Sequence, residues 1–301
     1  MGSYLEADPV DYFIEQLVDR NVVIVVGAGL TASCGLFERG SRGDKGKSER
    51  GAIPGWPQVL RRVGNQALTR INEPAVADKL RSAIDEIDDP QPDYPAVWEK
   101  MSRYVDSGEV AHMFTHFFPE GRADFSRAYD GLDKLDQRFI VSLNFDKFLE
   151  TYFLRQRNDT IPAITRQHVN PFMAARRARN AIIRLHGEPE SGTMVFGISD
   201  FARNESSPLM ELFRQIVGSN IVLFVGCSIV HDPALKEFVS DGESRLEAFV
   251  YCNSGQAPSV ADFATPLVYS DPADGGDPYA HFSDGLMELA ELIEAERVKR
   301  A

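Results

Sequence analysis

Short apolar runs alternate along the chain with longer stretches in which apolar residues recur at helical spacing. The clearest runs lie at Val22–Val26, 139–143, 181–185, Ile221–Val225 and 246–251. Runs of this length, rich in β-branched residues, are typical of strands that are buried on both faces of a parallel sheet. Because the stretches between them have helical spacing, the pattern predicts an α/β fold in which helices cover both faces of a mainly parallel, doubly wound sheet.

Helical spacing is clearest near the two ends of the chain and between the first two strands. It predicts an amphipathic helix over residues 9–20, which leads into the first strand, and a terminal helix over residues 279–299. From residue 57 to 136 no strand run stands out, and apolar residues recur at near-helical intervals. We therefore predict a single domain spanning residues 1–301, with a helical insertion at 57–136.

A glycine turn, Gly27-Ala28-Gly29, follows the first strand directly. Glycines permit a tight turn whose backbone N–H groups can approach a pyrophosphate when a helix follows. The spacing departs from the usual G-x-G-x-x-G, because the next glycine is Gly35, and no acidic residue stands out at the end of a second strand. These departures argue against an ordinary dehydrogenase. A close-packed turn that binds no ligand is the alternative interpretation.

Polar residues follow two further strands at the point where each strand ends. Asn144 and Asp146 come after the run at 139–143, and His186 comes after the run at 181–185. In α/β sheets this carboxyl end is where ligand-contacting residues lie. Asn144 as a helix N-cap and His186 as a structural hydrogen-bonding group are the simpler alternatives. Taken with the glycine turn, the three segments predict one dinucleotide-binding cleft in a Rossmann-like sheet.

The ordered set of motifs resembles the sirtuin family, and more closely its divergent bacterial branch of NAD-hydrolysing defence effectors. The motifs lie in the family's order between residues 21 and 253. Each motif alone matches the family weakly, but the ordered set is specific to it. They are Gly27-Ala28-Gly29-Leu30-Thr31, Ile53-Pro54-Gly55-Trp56 with Leu60, Asn144-Phe145-Asp146, Leu185-His186-Gly187, and Phe224-Val225-Gly226-Cys227-Ser228 with Asp232-Pro233. The resemblance implies a sirtuin-like fold for the chain that carries these motifs.

The resemblance also implies roles for ten residues. The catalytic residues would lie on the ribose and nicotinamide side of the cleft, with His186 as the catalytic base, and they are Asn144, Asp146 and His186. The cofactor-binding residues would contact the phosphates and the adenosine side, and they are Gly27, Ala28, Gly29, Thr31, Gly226, Ser228 and Asn253. Among these, the glycine turn would face the pyrophosphate, and Asn253 would contact the adenosine ribose.

Two features differ from the protein-deacylating sirtuins. Those enzymes carry a four-cysteine zinc module, whereas this chain has only Cys34, Cys227 and Cys252, widely separated. We therefore expect no structural zinc and no metal site. The polar, glycine-rich segment 37–52 is the second difference. It predicts a mobile surface loop, with a lid that orders when NAD binds as the alternative.

The activity implied by the resemblance is that of an NAD+ nucleosidase. Such an enzyme cleaves the nicotinamide–ribose bond of NAD+, which is its substrate, and releases nicotinamide and ADP-ribose or a cyclic product. A defence effector of this kind depletes NAD+ when it is activated. Three alternatives stay open, namely an NAD-dependent protein deacylase, a non-catalytic nucleotide-sensing module and a mainly structural subunit whose cleft is vestigial.

The charge and the apolar content of the chain indicate its cellular compartment and the kinds of partner that it binds. The net charge of −13 disfavours direct nucleic-acid binding, which relies on clustered Lys and Arg. Without an 18-residue apolar run or a signal peptide, and with three unpatterned cysteines, the sequence predicts a cytoplasmic protein with no membrane segment. The resemblance further implies a homo-oligomer paired with a separate sensor subunit, such as a hexameric translocase ATPase of the HerA type or an Argonaute-type protein.

Overall fold

The computed structural model describes residues 9–37, 51–90, 92–229, 232, 235, 247–269 and 278–300. Its strands are, in chain order, β1 (Val22–Val26), β2 (Gly35–Leu36), β3 (Gly51–Ala52), β4 (Ala123–Asp124), β5 (Phe139–Ser142), β6 (Ala163–Ile164), β7 (Ala181–Arg184), β8 (Ile221–Val225), β9 (Ala248–Cys252) and β10 (Thr265–Val268). Its α-helices are α1 (Pro9–Val18), α2 (Ala28–Ala32), α3 (Trp56–Leu68), α4 (Pro74–Asp85), α5 (Tyr94–Met101), α6 (Ser107–Phe117), α7 (Arg127–Leu135), α8 (Phe148–Arg157), α9 (Pro171–Arg177), α10 (Ile198–Asn204), α11 (Pro208–Gly218), α12 (Ala257–Val260) and α13 (Pro278–Arg300). Short 3-10 helices lie at Glu86–Asp88, Ser102–Tyr104 and Glu120–Arg122.

A seven-stranded sheet with the order β10-β9-β8-β1-β5-β7-β6 forms the centre of the molecule. All of its neighbouring strands pair in parallel. The three short strands β3, β2 and β4 form a second, antiparallel sheet in that order. The predicted α/β fold with a doubly wound, mainly parallel, Rossmann-like sheet is therefore confirmed.

The strand order reverses direction at β1. The next strands of this sheet along the chain, β5, β6 and β7, all lie on one side of β1. The last three strands, β8, β9 and β10, lie on its other side. In the register, Val26 of β1 lies opposite both Ser142 of β5 and Val225 of β8, so these strands end at the same level. A ligand of such a sheet binds where the order reverses, outside the carboxyl ends of the strands. Here that point lies beside the ends of β1 and β8.

Both faces of the sheet are covered, which explains the unbroken apolar runs. Val22, Ile24 and Val26 of β1 pack into a core with α1, α7, α8 and α13, and Val23 and Val25 pack into the opposite core with α9, α11 and α12. Every position of a strand buried in this way meets apolar neighbours, so alternation with polar residues disappears. The predicted helices at the two ends of the chain are present as α1 and α13, which cover the same face.

The helices α3 to α6 form a separate apolar core at the carboxyl edge of the sheet. Their buried residues, from Val59 in α3 to Phe117 in α6, pack against Phe145 and Phe196 of the sheet domain. Helix α7 belongs to the sheet core instead, where it packs along α13. The division of the chain into one domain with an insertion at 57–136 stays a prediction.

None of the described helices is both long and apolar enough to cross a membrane. The segment 37–52 that the sequence predicts as a loop or lid falls mostly on residues 38–50, which lie outside the described residues.

Candidate functional site

Two glycine-containing turns are in direct backbone contact at the point where the strand order reverses. A Cβ atom at Gly27 would lie 2.6 Å from the carbonyl oxygen of Gly226, and one at Gly29 would lie 2.8 Å from its Cα. The N–H of Gly29 donates a hydrogen bond of 2.9 Å to the same oxygen, and Gly226 has a φ of +64°. Only glycine fits at these three positions. The packing of the turns accounts for the glycines with or without a ligand, and it leaves the floor of the cleft free of side chains.

The side chain of Asn144 crosses from the end of β5 to the glycine turn. Its Nδ2 donates to the carbonyl oxygen of Gly27 and to Oγ1 of Thr31, each at 3.0 Å. Because a carbonyl oxygen can only accept, these bonds fix which end of the amide carries the nitrogen. Both amide hydrogens are committed within the protein, so Oδ1 is the group that can accept a hydrogen bond from a ligand. Asn144 does not cap a helix, since α8 begins only at Phe148.

Thr31 joins Asn144 to Asp146. Its hydroxyl accepts the bond from Asn144 and donates one of 2.8 Å to Oδ2 of Asp146. The other carboxylate oxygen, Oδ1, accepts the N–H of Phe148 at the start of α8. Burial raises the pKa of the Asp146 carboxyl, and the two hydrogen bonds and the charge of Arg184 oppose this shift. The relay fixes both polar residues of the loop relative to the helix that follows the glycine turn.

Replacing Thr31 with Val is expected to destabilise the protein. Valine has the same shape but removes the hydroxyl, which leaves an N–H of Asn144 and an oxygen of Asp146 buried without their partner. Such a loss costs about 1–3 kcal/mol in the free energy of unfolding. Urea denaturation of Thr31→Val beside Thr31→Ser, which keeps the hydroxyl, measures this difference. Equal stability of the two variants would show that the relay contributes nothing.

His186 has one nitrogen next to a backbone carbonyl and one that faces Asp232. Its Nδ1 lies 3.1 Å from the carbonyl oxygen of Leu143, which can only accept, so Nδ1 carries the hydrogen of the neutral ring. Its Nε2 is buried with no hydrogen-bond partner among the described residues, and it lies 3.5 Å from Oδ2 of Asp232. In the neutral imidazole this nitrogen holds the lone pair that accepts a proton. The backbone therefore sets the tautomer that a general base needs at Nε2.

Three cavities meet at Gly29. One of about 200 Å³ is bordered by Thr31, Asn144 and Asp146. A second of about 230 Å³ is bordered by Asn144 and His186. The third, of about 530 Å³, lies toward β9 and α12. All ten residues that the sequence predicts for the site border at least one of these cavities, namely Gly27, Ala28, Gly29, Thr31, Asn144, Asp146, His186, Gly226, Ser228 and Asn253. Their individual roles stay predictions.

An aromatic wall closes the second cavity, and sequence reasoning missed most of it. Trp56, at the start of α3, stacks on Phe196 with a centroid distance of 4.5 Å and meets the edge of Phe145 at 5.4 Å. Tyr94 of α5 borders the same cavity, and Phe201 meets the His186 ring edge-on. These aromatic residues and His186 border the same cavity.

Two charged residues at the site had no predicted role. Asp232 belongs to one of the sequence motifs that carry the resemblance, but no role was predicted for it. In the structure its carboxylate faces Nε2 of His186. Arg184 lies fully buried behind the Asn144–Asp146 loop. The sequence does distinguish Arg184, because it is the one charged residue of β7, and the other three positions of that strand are apolar and buried. Among the described residues there is no group of three His, Cys, Asp or Glu side chains that could hold a metal ion.

Comparison with known proteins places a SIR2-like segment in the chain. A family model described as a SIR2-like domain matches residues 138–257, which include Asn144, Asp146, His186 and Asn253. A solved structure with the description "Structural Basis for the Mechanism and Regulation of Sir2 Enzymes" is 14% identical to this chain, with a TM-score of 0.43. The alignment covers 97% of this chain and 99% of that chain. A mutant Sir2 homologue in complex with ADP-ribose is 11% identical, with a TM-score of 0.46 and coverage of 95% and 97%. No curated protein matches the chain.

Proposed function

We propose that the protein cleaves the nicotinamide–ribose bond of NAD+ and releases nicotinamide with ADP-ribose or a cyclic product. The observation that carries the proposal is the convergence of Asn144, Asp146 and His186 on two cavities that join at Gly29. The SIR2-like match over residues 138–257 supports an NAD-related function for the same segment.

A dinucleotide suits a cleft of three compartments joined at a glycine turn. The pyrophosphate would lie at the turn, where no side chain stands in its way and the strand order reverses. The adenosine half would enter the largest of these three cavities, which Ser228 and Asn253 border. The nicotinamide would enter the cavity beside Asp146, and its ribose would lie between Asn144 and His186.

The chemistry requires little from the protein at the leaving group. When the N-glycosidic bond breaks, its electron pair goes to the pyridinium nitrogen and nicotinamide leaves as a neutral molecule. Positive charge then develops on the ribose C1′, as in other glycoside cleavages. The carboxylate of Asp146 and Oδ1 of Asn144 border this space and stabilise that charge electrostatically. The site therefore favours bond cleavage without a general acid.

His186 completes the reaction as a general base. Water attacks C1′, its oxygen forms the new C–O bond, and its proton passes to the lone pair on Nε2 of His186. The hydrogen bond from Nδ1 to Leu143 keeps the hydrogen of the neutral ring on Nδ1 and the lone pair on Nε2, and His186 borders the cavity. An intramolecular nucleophile in place of water would give the cyclic product and lose its proton to the same nitrogen.

Asp232→Asn is expected to lower kcat for NAD+ cleavage by about 10²-fold, the usual effect of removing one electrostatic stabiliser. The Asp232 carboxylate lies 3.5 Å from Nε2 of His186, where it attracts the imidazolium formed by proton transfer. Asparagine keeps the shape but not the charge. Steady-state turnover is compared with that of Glu190→Gln, because Glu190 pairs with Lys147 outside the three cavities. Equal kcat for both variants would remove Asp232 from the mechanism.

A second candidate function rests on the aromatic cavity beside His186. Its wall of Trp56, Tyr94 and Phe196 is apolar enough to hold the alkyl stem of an acylated lysine. A protein deacylase would use this space for its peptide substrate, whereas an NAD+ hydrolase would use it for the ribose and the attacking water.

Product analysis distinguishes the candidates. The purified protein is incubated with NAD+, with and without an acetyl-lysine peptide, and the products are separated by chromatography. Release of nicotinamide and ADP-ribose without peptide supports the hydrolase. Strict dependence on the peptide identifies a deacylase, and tight binding of NAD+ that stays intact also in the activated homo-oligomer identifies a nucleotide sensor.

We further propose that the enzyme is a defence effector that depletes NAD+ in the cytoplasm when a sensor subunit activates it as a homo-oligomer. The support is the resemblance of the ordered motifs together with the physical need to restrain such an activity in its own cell. Light scattering tests the oligomer. Cellular NAD+ measured before and after viral infection tests the restraint, and constant depletion in uninfected, healthy cells would contradict it.

A further inference from the structure

Arg184 is a fully buried arginine at the end of β7, directly behind the loop that carries Asn144 and Asp146. Its guanidinium donates to the backbone oxygens of Asp146 at 2.9 Å and of Phe145 at 2.8 Å, and Nη2 lies 3.4 Å from that of Asn144. The three carbonyl groups of the loop thus turn inward to one side chain. The polar side chains of Asn144 and Asp146 lie on the opposite side of the loop, where they border the cavities.

Two carboxylates complete the surroundings of Arg184. Nη1 lies 2.8 Å from Glu150, in the first turn of α8, and Nε lies 3.2 Å from Glu188, which follows His186 by two residues. The contact with Glu150 is also a hydrogen bond, whereas the contact with Glu188 is an ion pair without hydrogen-bond geometry. A buried charge is tolerated when it is paired and hydrogen-bonded. The planar fork of the guanidinium therefore reaches both segments of the site, the Asn144–Asp146 loop on one side and the turn after His186 on the other.

We propose that Arg184 is the positioning residue of the site, which holds the Asn144–Asp146 loop and the His186–Glu188 turn in the register that directs their side chains into the same cavities. Its effect on catalysis rests on the proposed cleavage of NAD+. Its effect on the two segments does not, because that follows from the contacts alone.

The geometry of the guanidinium matters as well as its charge. Arginine offers five N–H donors in a rigid plane, whereas lysine offers a compact ammonium with three donors. A lysine at position 184 keeps the positive charge beside Glu150 and Glu188 but cannot bond the loop carbonyls and both carboxylates together. Misplacement of a catalytic group by about 1 Å can cost about 10²-fold in rate. Arg184→Lys is therefore expected to lower kcat by about 10²-fold while KM changes little.

The chain offers a matched control in Arg297. This arginine of α13 is only partly buried, but it also donates to backbone oxygens, those of Leu17, Val18 and Leu135, on the far side of the sheet core. Arg297→Lys should lose comparable hydrogen bonds without touching the site. It is expected to lower the melting temperature while leaving kcat for NAD+ cleavage unchanged.

The test combines hydrogen–deuterium exchange with NAD+ kinetics on the full chain. In Arg184→Lys, exchange should accelerate in both 143–149 and 185–190, and kcat should fall. In Arg297→Lys, exchange should accelerate near residues 17–20 and 134–137 only. Unchanged exchange in the two site segments of Arg184→Lys, or a wild-type kcat, would overturn the proposal.

A second variant keeps the test decisive if Arg184→Lys does not fold. Glu188→Gln removes the charge of the partly exposed carboxylate that pairs with Arg184. Because Glu188 belongs to the turn after His186, exchange should accelerate at 185–190 and not at 143–149. Acceleration in neither segment would overturn the proposal. If the activated wild-type protein does not cleave NAD+, the proposed function fails, while the exchange data still decide whether Arg184 holds the two segments.

Discussion

His186→Ala is expected to lower kcat for NAD+ cleavage by about 10²–10⁴-fold, the contribution that a general base commonly makes. The ring is buried, its Nδ1 is held by Leu143, and its Nε2 carries the lone pair and lies 3.5 Å from Oδ2 of Asp232. Alanine leaves no group there that can accept the proton of the attacking water. KM should change less than kcat, because the pyrophosphate and adenosine contacts lie elsewhere in the cleft. Steady-state turnover and a thermal melt of the purified variant measure the effect.

The control for this variant is His168→Ala. His168 also bonds the backbone through Nδ1, which accepts the N–H of Thr165 at 3.1 Å, but it lies after β6 and borders none of the three cavities. It should retain wild-type turnover. If His186→Ala also turns over NAD+ at the wild-type rate, His186 is a structural hydrogen-bonding group and the proposed mechanism is wrong.

Asn144→Ala is the second variant for which we expect a large loss, about 10²-fold or more in kcat. Alanine removes Oδ1, which is the acceptor offered to the ribose or to water, and it also releases Thr31 and Gly27 from the amide that joins them. The free energy of unfolding should fall by about 1–3 kcal/mol, because buried groups lose their partners. Turnover measured well below the melting temperature separates the two effects.

Asn220→Ala is the matched control for Asn144→Ala. Its Nδ2 also donates to a backbone oxygen, that of Ile216, but Asn220 lies just before β8 at the amino edge of the sheet. We expect a loss of stability without a loss of kcat per folded molecule. Wild-type turnover by Asn144→Ala would show that the amide serves only to connect β5 to the glycine turn.

The strands that the sequence predicted correctly are those buried on both faces. The runs at β1, β5, β7, β8 and β9 show every position buried, so an unbroken apolar pattern marks them. The edge strands β6 and β10 were not predicted, because one has two residues and the other is only partly buried. Helix α1 ends at Val18 rather than near residue 20, since Arg20 adopts a left-handed backbone with a φ of 61°.

The site residues were accessible to sequence reasoning where each follows a recognisable strand. Asn144, His186 and Gly226 come at or just after strand ends, and strands that pair in parallel bring those ends to one edge. The contacts of Arg184 and Asp232 were not accessible in this way. Except for the Arg184–Glu188 ion pair, whose residues are four positions apart, these contacts join residues that lie 34 to 46 positions apart, and only the folded register shows which groups meet.

The position of NAD+ in the cleft tests the central claim most directly. A crystal structure of the His186→Ala variant with NAD+ would keep the substrate intact and does not depend on activation. The account predicts the nicotinamide beside Asp146, its ribose between Asn144 and position 186, the pyrophosphate at Gly29 and the adenosine next to Asn253. NAD+ bound in the reverse direction, or bound away from Gly29 at saturating concentration, would contradict the account.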